Sequence, residues 1–176
     1  MRIKLACAIL PALLLAMGCA AWAQDGRGTE WRAATDGELR SVIPVRAPVV
    51  TERIETEMRS ASGITNSHGK YVAGVVLITA GYSAEGKYSH FLVTQVPLKI
   101  GTDIRLAPGE YLLGYEHSGD GLVVRFFEAA SGKPLGSVLA KLIPGNTRVE
   151  SFRIWPPGDR SMMQIGRFGF SYQIGG

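Results

Sequence analysis

The chain has 176 residues, of which 46% are hydrophobic and 19% charged, and its formal net charge is +4. This length predicts one compact domain, and the apolar fraction excludes a wholly disordered chain. Glycine contributes 22 residues and proline 9, which is typical of a chain with many turns and argues against long uninterrupted helices.

The first 23 residues have the three-part layout of a secretory signal peptide. Arg2 and Lys4 form a basic head, residues 5–18 are apolar, and Ala21 and Ala23 occupy the two small-residue positions that signal peptidase reads. The apolar run is about 14 residues, shorter than the ~20 that a membrane-spanning helix needs. We therefore expect cleavage after Ala23, a secreted or periplasmic product, and no transmembrane span in the mature chain.

A second export route would attach a lipid to Cys19. Gly18 suits the position before such a cysteine. Leu15, however, lies one residue too early, and Ala16 stands where leucine is usual. The sequence therefore favours cleavage after Ala23 over lipid anchoring.

Cleavage would change both the charge and the thiol content of the chain. Without Arg2 and Lys4, 17 basic residues remain against 15 acidic ones, a formal net charge of +2. No basic cluster then supports nucleic-acid binding. Cys7 and Cys19 would also leave with the signal, which excludes thiol catalysis, zinc–thiolate sites and iron–sulfur clusters.

Residues 24–48 are polar and rich in glycine, alanine and arginine, and neither a strand nor a helix period holds across them. We interpret them as a flexible leader. Residues 50–59 fit either a short helix or a strand, and the β-rich context favours the strand. Residues 60–69 contain serine, glycine, asparagine and histidine, which predicts a loop.

From Tyr71 onwards, short β-rich runs alternate with turn signals roughly every 8–14 residues. Residues 71–79 are mostly apolar and rich in valine, typical of a strand that is covered on both faces. Pro97 predicts the end of the next strand, because proline cannot donate to a ladder. The pattern favours an all-β fold: a single antiparallel β-sandwich over residues 49–176, with a small closed β-barrel as the alternative.

Residues 106–113, Leu-Ala-Pro-Gly-Glu-Tyr-Leu-Leu, resemble the L-x-P-G-x-Y signature of small secreted bacterial β-sandwich modules of the transthyretin-like and PEGA types. Residues 127–136 are similar to the hairpins of these modules. The resemblance covers a short stretch, and it implies the fold class and a role in binding, spacing or decorating. It supplies no catalytic residue, and on these residues we place the whole chain in no characterised family.

Several patterns approach a catalytic or metal site without completing one. Ser83 lies in a Gly-x-Ser-x-Glu sequence, whereas a nucleophile elbow needs glycine in the last position. His68, His90 and His117 are 22 and 27 residues apart, which fits no compact metal-ligand motif. The adjacent pair Met162–Met163 would point to opposite faces of a strand and chelate copper(I) poorly. We therefore assign no metal, no cofactor and no catalytic residue.

Paired carboxylates for glycoside hydrolysis are available as Glu110 with Glu116, or Glu128 with Glu150. Any chain with 15 acidic residues offers such pairs, so they carry little weight. Histidines and carboxylates can still converge in the fold. A secreted hydrolase therefore stays open as an alternative, and a lipocalin-like carrier of an apolar ligand is a third possibility.

Four residues are the candidate binding residues: Tyr82, Tyr115, His117 and Trp155. Aromatic side chains at strand or loop ends stack on sugar rings or anchor protein partners. The alternative is that Tyr115 and Trp155 cap the core. We expect an exported β-sandwich protein, more consistent with a non-enzyme than an enzyme, that binds a protein or a glycan of the cell envelope. The sequence indicates neither the ligand nor the oligomeric state.

Overall fold

The computed structural model describes residues 30–145 and 148–175. The predicted signal peptide, with Ala21, Ala23 and Cys19, lies outside these residues. Within the described ranges the chain forms one α-helix and thirteen strands. In chain order these are β1 (Trp31–Ala33), α1 (Asp36–Val42), β2 (Arg46–Val49), β3 (Glu52–Asn66), β4 (Tyr71–Leu77), β5 (His90–Thr94), β6 (Leu98–Ile100), β7 (Ile104–Leu106), β8 (Gly109–Ser118), β9 (Gly121–Glu128), β10 (Pro134–Leu142), β11 (Glu150–Ile154), β12 (Met162–Gly166) and β13 (Phe168–Ile174).

The strands pair antiparallel in the order β1-β3-β4-β5-β8-β9-β10-β13-β12-β11. Strand β2 adds to β3, and the β6–β7 hairpin adds to β13. The two sides of the sheet approach each other because β11 lies against β3, where the Ile154 N–H donates to Ser62 Oγ at 2.9 Å. The fold is therefore all-β, as predicted, and the sheet is nearly closed and barrel-like, the form that the sequence allowed as its alternative.

Side chains that point into the barrel form what we call the inner core. On β9, Leu122, Val124 and Phe126 point inward while Phe127 points outward, as the two-residue period of a strand requires. Side chains from most strands thus fill the barrel interior. The buried members are Ile64, Val72, Leu92, Leu98, Ile100, Ile104, Leu106, Tyr111, Leu113, Leu122, Val124, Phe126, Ala140, Phe152, Ile154, Met163, Ile165, Phe170 and Tyr172.

A second cluster, the outer core, involves the outward faces of β3, β4, β5, β8 and β9. Helix α1, strand β2 and residues 78–89, which connect β4 to β5, contribute the other side of this cluster. It gives β4 the two covered faces that its sequence predicts. Its buried members are Leu39, Ile43, Ala47, Val49, Ile54, Ala73, Val75, Leu77, Ala84, Tyr88, Phe91, Leu112, Phe127 and Ala129.

Part of the segment interpreted as a flexible leader belongs to this fold. Residues 24–29 lie outside the described residues, but from Trp31 onwards the chain forms β1, α1 and β2. Thr35 and Glu38 form a capping box that starts α1. Leu39 and Ile43, four residues apart, are each 3% exposed. The helix has one short apolar face in a polar segment, which is why no period was visible across residues 24–48.

Strand β3 confirms the predicted strand within residues 50–59 but continues to Asn66, so the loop expected over residues 60–69 is wrong for residues 60–66. The pairing of β3 with β4 shifts register between Glu57 and Ser62. Around that irregularity, serine hydroxyls replace missing ladder partners: Ser60 Oγ accepts from the Val76 N–H at 2.9 Å. The polar residues that suggested a loop therefore belong to a bulged strand, where they supply hydrogen bonds to backbone groups that the irregular pairing leaves unpaired.

The described helix α1 has seven residues, and it is neither long nor apolar enough to cross a membrane.

The later strands begin and end close to the predicted turn residues. Strand β5 ends before Pro97, and β6 and β7 pair around Gly101, whose φ of +56° suits glycine.

Candidate functional site

An open cleft lies on the outside of the barrel, where residues 78–89 pass over β8. Gly114 of β8 lies directly against Lys87, and a Cβ at this position would overlap the Lys87 carbonyl oxygen. Only glycine permits this close crossing of two backbones. The cleft has two halves, which share Gly86, Gly114 and Tyr115 as lining residues.

The half of the cleft next to β9 has a volume of about 630 Å³ and contains Lys87, Glu116, Arg125 and Phe127. Arg125 Nη2 donates to Glu116 Oε1 at 2.5 Å, and this hydrogen bond is the main reason that the pKa of Glu116 is lowered. Lys87 Nζ lies 5.8 Å from the centre of the Phe127 ring. In the described part of the chain, no carboxylate forms an ion pair with Lys87. This half therefore combines Arg125, which is paired with Glu116, and Lys87, which has no carboxylate partner among the described residues, with the aromatic ring of Phe127.

The other half has a volume of about 470 Å³ and reaches Ser89, His90 and Ser151. A backbone carbonyl only accepts, so the Nε2–H of His90 donates to the Ser151 oxygen at 3.2 Å. Nδ1 of the neutral ring then accepts from Ser89 Oγ at 2.8 Å. Burial lowers the pKa of His90 to about 4, against the opposing effect of the hydrogen bond to Ser151. The ring is therefore neutral at physiological pH.

Tyr115 is the aromatic side chain common to both halves. It is 41% exposed, and its ring centre lies 6.0 Å from that of His90. The His90 ring in turn lies 5.1 Å from the ring of Phe152, which belongs to the inner core. Tyr115 is therefore a half-exposed ring supported by a buried one.

The other three candidate binding residues lie apart from this cleft. His117 is two residues further along β8, and its ring contacts Phe168 with centres 6.2 Å apart. Tyr82 lies in residues 78–89, where its hydroxyl accepts from Arg46 Nη2 at 3.3 Å. Trp155 follows β11 and donates from Nε1 to Gln164 Oε1 at 3.1 Å. Only Tyr115 of the four lines the cleft.

The patterns tested for metal binding do not assemble in the described ranges, which contain no group of three or more histidine, cysteine, aspartate or glutamate residues suited to a metal ion. His90 is buried, whereas His68 lies in the exposed turn between β3 and β4, its N–H donating to Asn66 Oδ1 at 2.9 Å. Met163 lies in the inner core and Met162 on the opposite face of β12, against Gly169.

Glu116, Glu128, Glu150 and Ser83, which were considered for hydrolysis, have local partners. Glu128 accepts from Ser131 Oγ at 2.5 Å, and Glu150 forms an ion pair with Arg148 at 2.9 Å. Ser83 lies in a turn, where its hydroxyl donates to the Glu52 carboxylate. Each contact is one that a surface turn or strand end commonly makes.

The sequence did not single out Ser89, Lys87 or the Glu116–Arg125 pair. The turn at residues 118–121 indicated a hairpin, which places residues 116 and 125 on facing strands. Gly114 within an otherwise apolar strand was a further signal, because an isolated glycine there often marks a close backbone approach. The crossing of residues 78–89 over β8 is a long-range contact that no local pattern encodes.

Comparison with known proteins supplies no relative: no protein-family model matches the chain, and no curated protein or solved structure does. What the cleft can bind is therefore argued from its own residues.

Proposed function

We propose that this protein is an exported, non-catalytic binding module whose cleft around Tyr115 receives a glycan or a protein segment of the cell envelope. The observation that carries the proposal is the supported, half-exposed ring of Tyr115 beside the Glu116–Arg125 ion pair. The signal-like first 23 residues support export. The resemblance of residues 106–113 to transthyretin-like and PEGA-type modules supports a role in binding.

The chemistry of the cleft suits a polar, extended ligand. An aromatic face stacks on the C–H face of a sugar or on a peptide side chain. The carboxylate of Glu116 and the guanidinium of Arg125 supply acceptors and donors next to that ring, as ligand sites commonly do with a few polar groups. Because both halves of the cleft are open, a chain-like ligand is able to pass across Tyr115 without entering the barrel.

A surface site is favoured over an internal apolar ligand because side chains occupy the barrel interior. Phe126 and Phe170 pack edge to face with ring centres 5.9 Å apart. Tyr172 is 1% exposed, and its hydroxyl donates to the Trp155 carbonyl at 2.6 Å. A lipocalin-like carrier would need this space for its ligand.

A secreted hydrolase is the second candidate, and the Ser89–His90 hydrogen bond is the observation that favours it. Two features argue for the binding module instead. A histidine with a pKa of about 4 is a weak general base near neutral pH. Ser89 Oγ also lies 3.1 Å from the Leu113 carbonyl, so its single proton has a competing acceptor.

Purified exported protein should be titrated with two ligands: soluble peptidoglycan fragments as the glycan arm, and peptides from envelope proteins as the protein arm. We expect saturable binding in one arm and at least a tenfold loss of affinity in Tyr115→Ala. Tyr71→Ala, a half-buried tyrosine at the start of β4, is the matched control and should bind like the wild type. Equal affinities of wild type and Tyr115→Ala in both arms would overturn the proposal.

The hydrolase alternative is tested separately with a panel of chromogenic esters and glycosides. Turnover by the wild type that is lost in both Ser89→Ala and His90→Gln would establish it. The export part of the proposal is tested by the intact mass of the secreted protein, which distinguishes cleavage after Ala23 from lipid attachment at Cys19.

A further inference from the structure

We propose a second binding site at the end of β11, where Arg153 and Arg160 converge on Trp155 and hold an oxyanion, the carboxylate or phosphate group of a ligand. This site is separate from the Tyr115 cleft and does not depend on the function proposed for it.

Two positive charges meet at one aromatic ring. The guanidinium carbons of Arg153 and Arg160 lie 5.1 and 4.9 Å from the centre of the Trp155 ring. The two charges are therefore no more than about 10 Å apart, a range in which like charges repel. Over residues 30–145 and 148–175, neither guanidinium has a carboxylate partner. Asp159, next to Arg160 in the chain, forms no ion pair with it. An anion bound between the two would relieve the repulsion.

Arg153 also carries a donor without an acceptor. Its Nε is buried and has no hydrogen-bond partner within the described ranges. Buried donors are nearly always paired in native proteins, so an unpaired one requires an explanation. A carboxylate or phosphate has the geometry to accept two parallel hydrogen bonds from a guanidinium. This Nε has almost no exposed surface, so an oxyanion bound at the Arg153 guanidinium would supply the missing acceptor once the side chain turns Nε outward.

Trp155, whose ring both arginines contact, is held by its ring nitrogen and by its backbone carbonyl. Gln164, which is 0% exposed and pairs in register with Arg153, accepts from Trp155 Nε1 at 3.1 Å. Its Nε2 donates to the Gly166 carbonyl at 2.9 Å, which fixes the amide. The Trp155 carbonyl accepts from the Tyr172 hydroxyl. The platform is therefore formed before any ligand arrives, which reduces the entropic cost of binding.

Arg160 is placed by a tight turn that follows Trp155. Its N–H donates to the Pro156 carbonyl at 3.1 Å. The next residue, Ser161, has a φ of +46°, a left-handed conformation that non-glycine residues rarely adopt. The turn thus returns the chain towards β12 and leaves the Arg160 side chain beside the ring.

The test uses the exported protein and simple probes: inorganic phosphate, acetate, and chloride at equal ionic strength. Thermal unfolding and tryptophan fluorescence are followed as each anion is added. We expect a saturable rise in Tm with phosphate or acetate beyond that with chloride. Each of Arg153→Gln and Arg160→Gln should weaken the apparent affinity about tenfold, because each removes a charge-assisted hydrogen bond.

Three further variants keep the result interpretable. Arg59→Gln removes a 93%-exposed arginine side chain of β3 and should respond like the wild type. Arg160→Lys keeps the charge but not the planar fork, so it should retain part of the response. Tyr115→Ala should leave the response unchanged, which separates this site from the cleft.

Comparison of the anions identifies the chemical class of the ligand. A larger response to phosphate indicates a phosphoryl group, and a larger response to acetate indicates a carboxylate. The proposal is overturned if neither anion exceeds chloride, or if the Arg153→Gln/Arg160→Gln double variant keeps the wild-type response.

Discussion

The inner and outer cores are built in different ways, although they share the same strands. The inner core collects alternate side chains from most strands of the barrel. The outer core forms only where α1, β2 and residues 78–89 lie over the sheet, on β3, β4, β5, β8 and β9. Strand β10 lacks such a cover: Leu135 and Leu139 of this strand are 37% and 50% exposed. The second layer therefore depends on a few chain segments laid over the sheet, whereas the first follows from the sheet itself.

The strongest test of this difference is the neighbouring pair Phe126 and Phe127. If β9 had one solvent-facing side, only one of the two rings would matter for stability. In the structure Phe126 is 0% and Phe127 9% exposed, with Phe127 packed edge to face on Tyr88. We expect each alanine variant to lose about 3–5 kcal/mol of unfolding free energy, measured by urea denaturation.

Leu139→Ala is the control for those two variants, because it removes a large side chain from the uncovered face of β10. Its cost should stay within about 0.5 kcal/mol. A loss at Phe127 as small as that at Leu139 would show that the outer layer contributes little to the stability of the fold.

The next largest effect concerns pH and the buried His90, which lies beside the inner core. An unfolded histidine takes up a proton near pH 6.5, whereas folded His90 does so only near pH 4 because burial lowers its pKa. Between these values the unfolded chain binds more protons, so stability falls as the pH decreases from about 6.5 to 4. The full loss is about 3 kcal/mol.

His90→Gln should remove most of this pH dependence when urea unfolding is repeated between pH 7 and pH 4. Glu38 does not affect this pH dependence above pH 4.5. The hydrogen bond from Arg32 lowers its pKa from 4.5 in the unfolded chain to about 2 in the fold, so its carboxyl group is ionised in both states above pH 4.5. Its contribution is therefore lost only below pH 4.5. Equal slopes for the variant and the wild type would contradict the assignment of the effect to His90.

Gly114→Ala tests how the outer layer is attached to the sheet. The added methyl group would meet the Lys87 backbone, so residues 78–89 must move. We expect a loss of about 1–3 kcal/mol, together with weaker ligand binding at Tyr115. Gly37→Ala has no atom within 4 Å of its new methyl group and lies in α1, where alanine is preferred over glycine by up to about 1 kcal/mol. The two substitutions should therefore change the denaturation midpoint in opposite directions.

The smallest effect is expected at Thr35, which starts the helix of the outer layer. Thr35→Ala removes the capping box and should cost about 1 kcal/mol. Amide hydrogen exchange in α1 should become faster, while exchange in β8 and β9 stays nearly the same. Thr102→Ala, in an exposed turn where the hydroxyl contacts only Asp103, is the matched control. Faster exchange throughout the sheet would mean that the two layers unfold as one unit.

Much of the inner layer was predictable because strand alternation and turn residues are local signals. The runs from Tyr71 onwards, the end before Pro97 and the break at Gly101 all appear in the fold. The outer layer was harder, since α1 shows only Leu39 and Ile43 as an apolar face in a polar segment. Residues 60–66 were misread because their serines bond to the backbone of neighbouring strands instead of forming a loop.

The candidate sites were predictable only in part, for the same reason. Tyr115 and Trp155 stood out as aromatic residues near strand ends. Their partners did not, because residues 78–89 bring Lys87 into the cleft that Tyr115 lines, and the turn after Trp155 brings Arg160 onto its ring. Local sequence identifies which side chains have useful chemistry, whereas the path of the chain through its turns and long connections decides which of them meet.

The join between β11 and β3 has a consequence for how the molecule opens. No ladder of backbone hydrogen bonds pairs these two strands in the described ranges. The Ser62 hydroxyl connects them, and the His90 ring ties β11 to β5. Two strands held together by two side-chain hydrogen bonds separate more readily than strands paired by a full backbone ladder. Transient openings of the barrel should therefore begin between β11 and β3. Acidification that charges His90 would then loosen the barrel from one side before the rest of the sheet gives way.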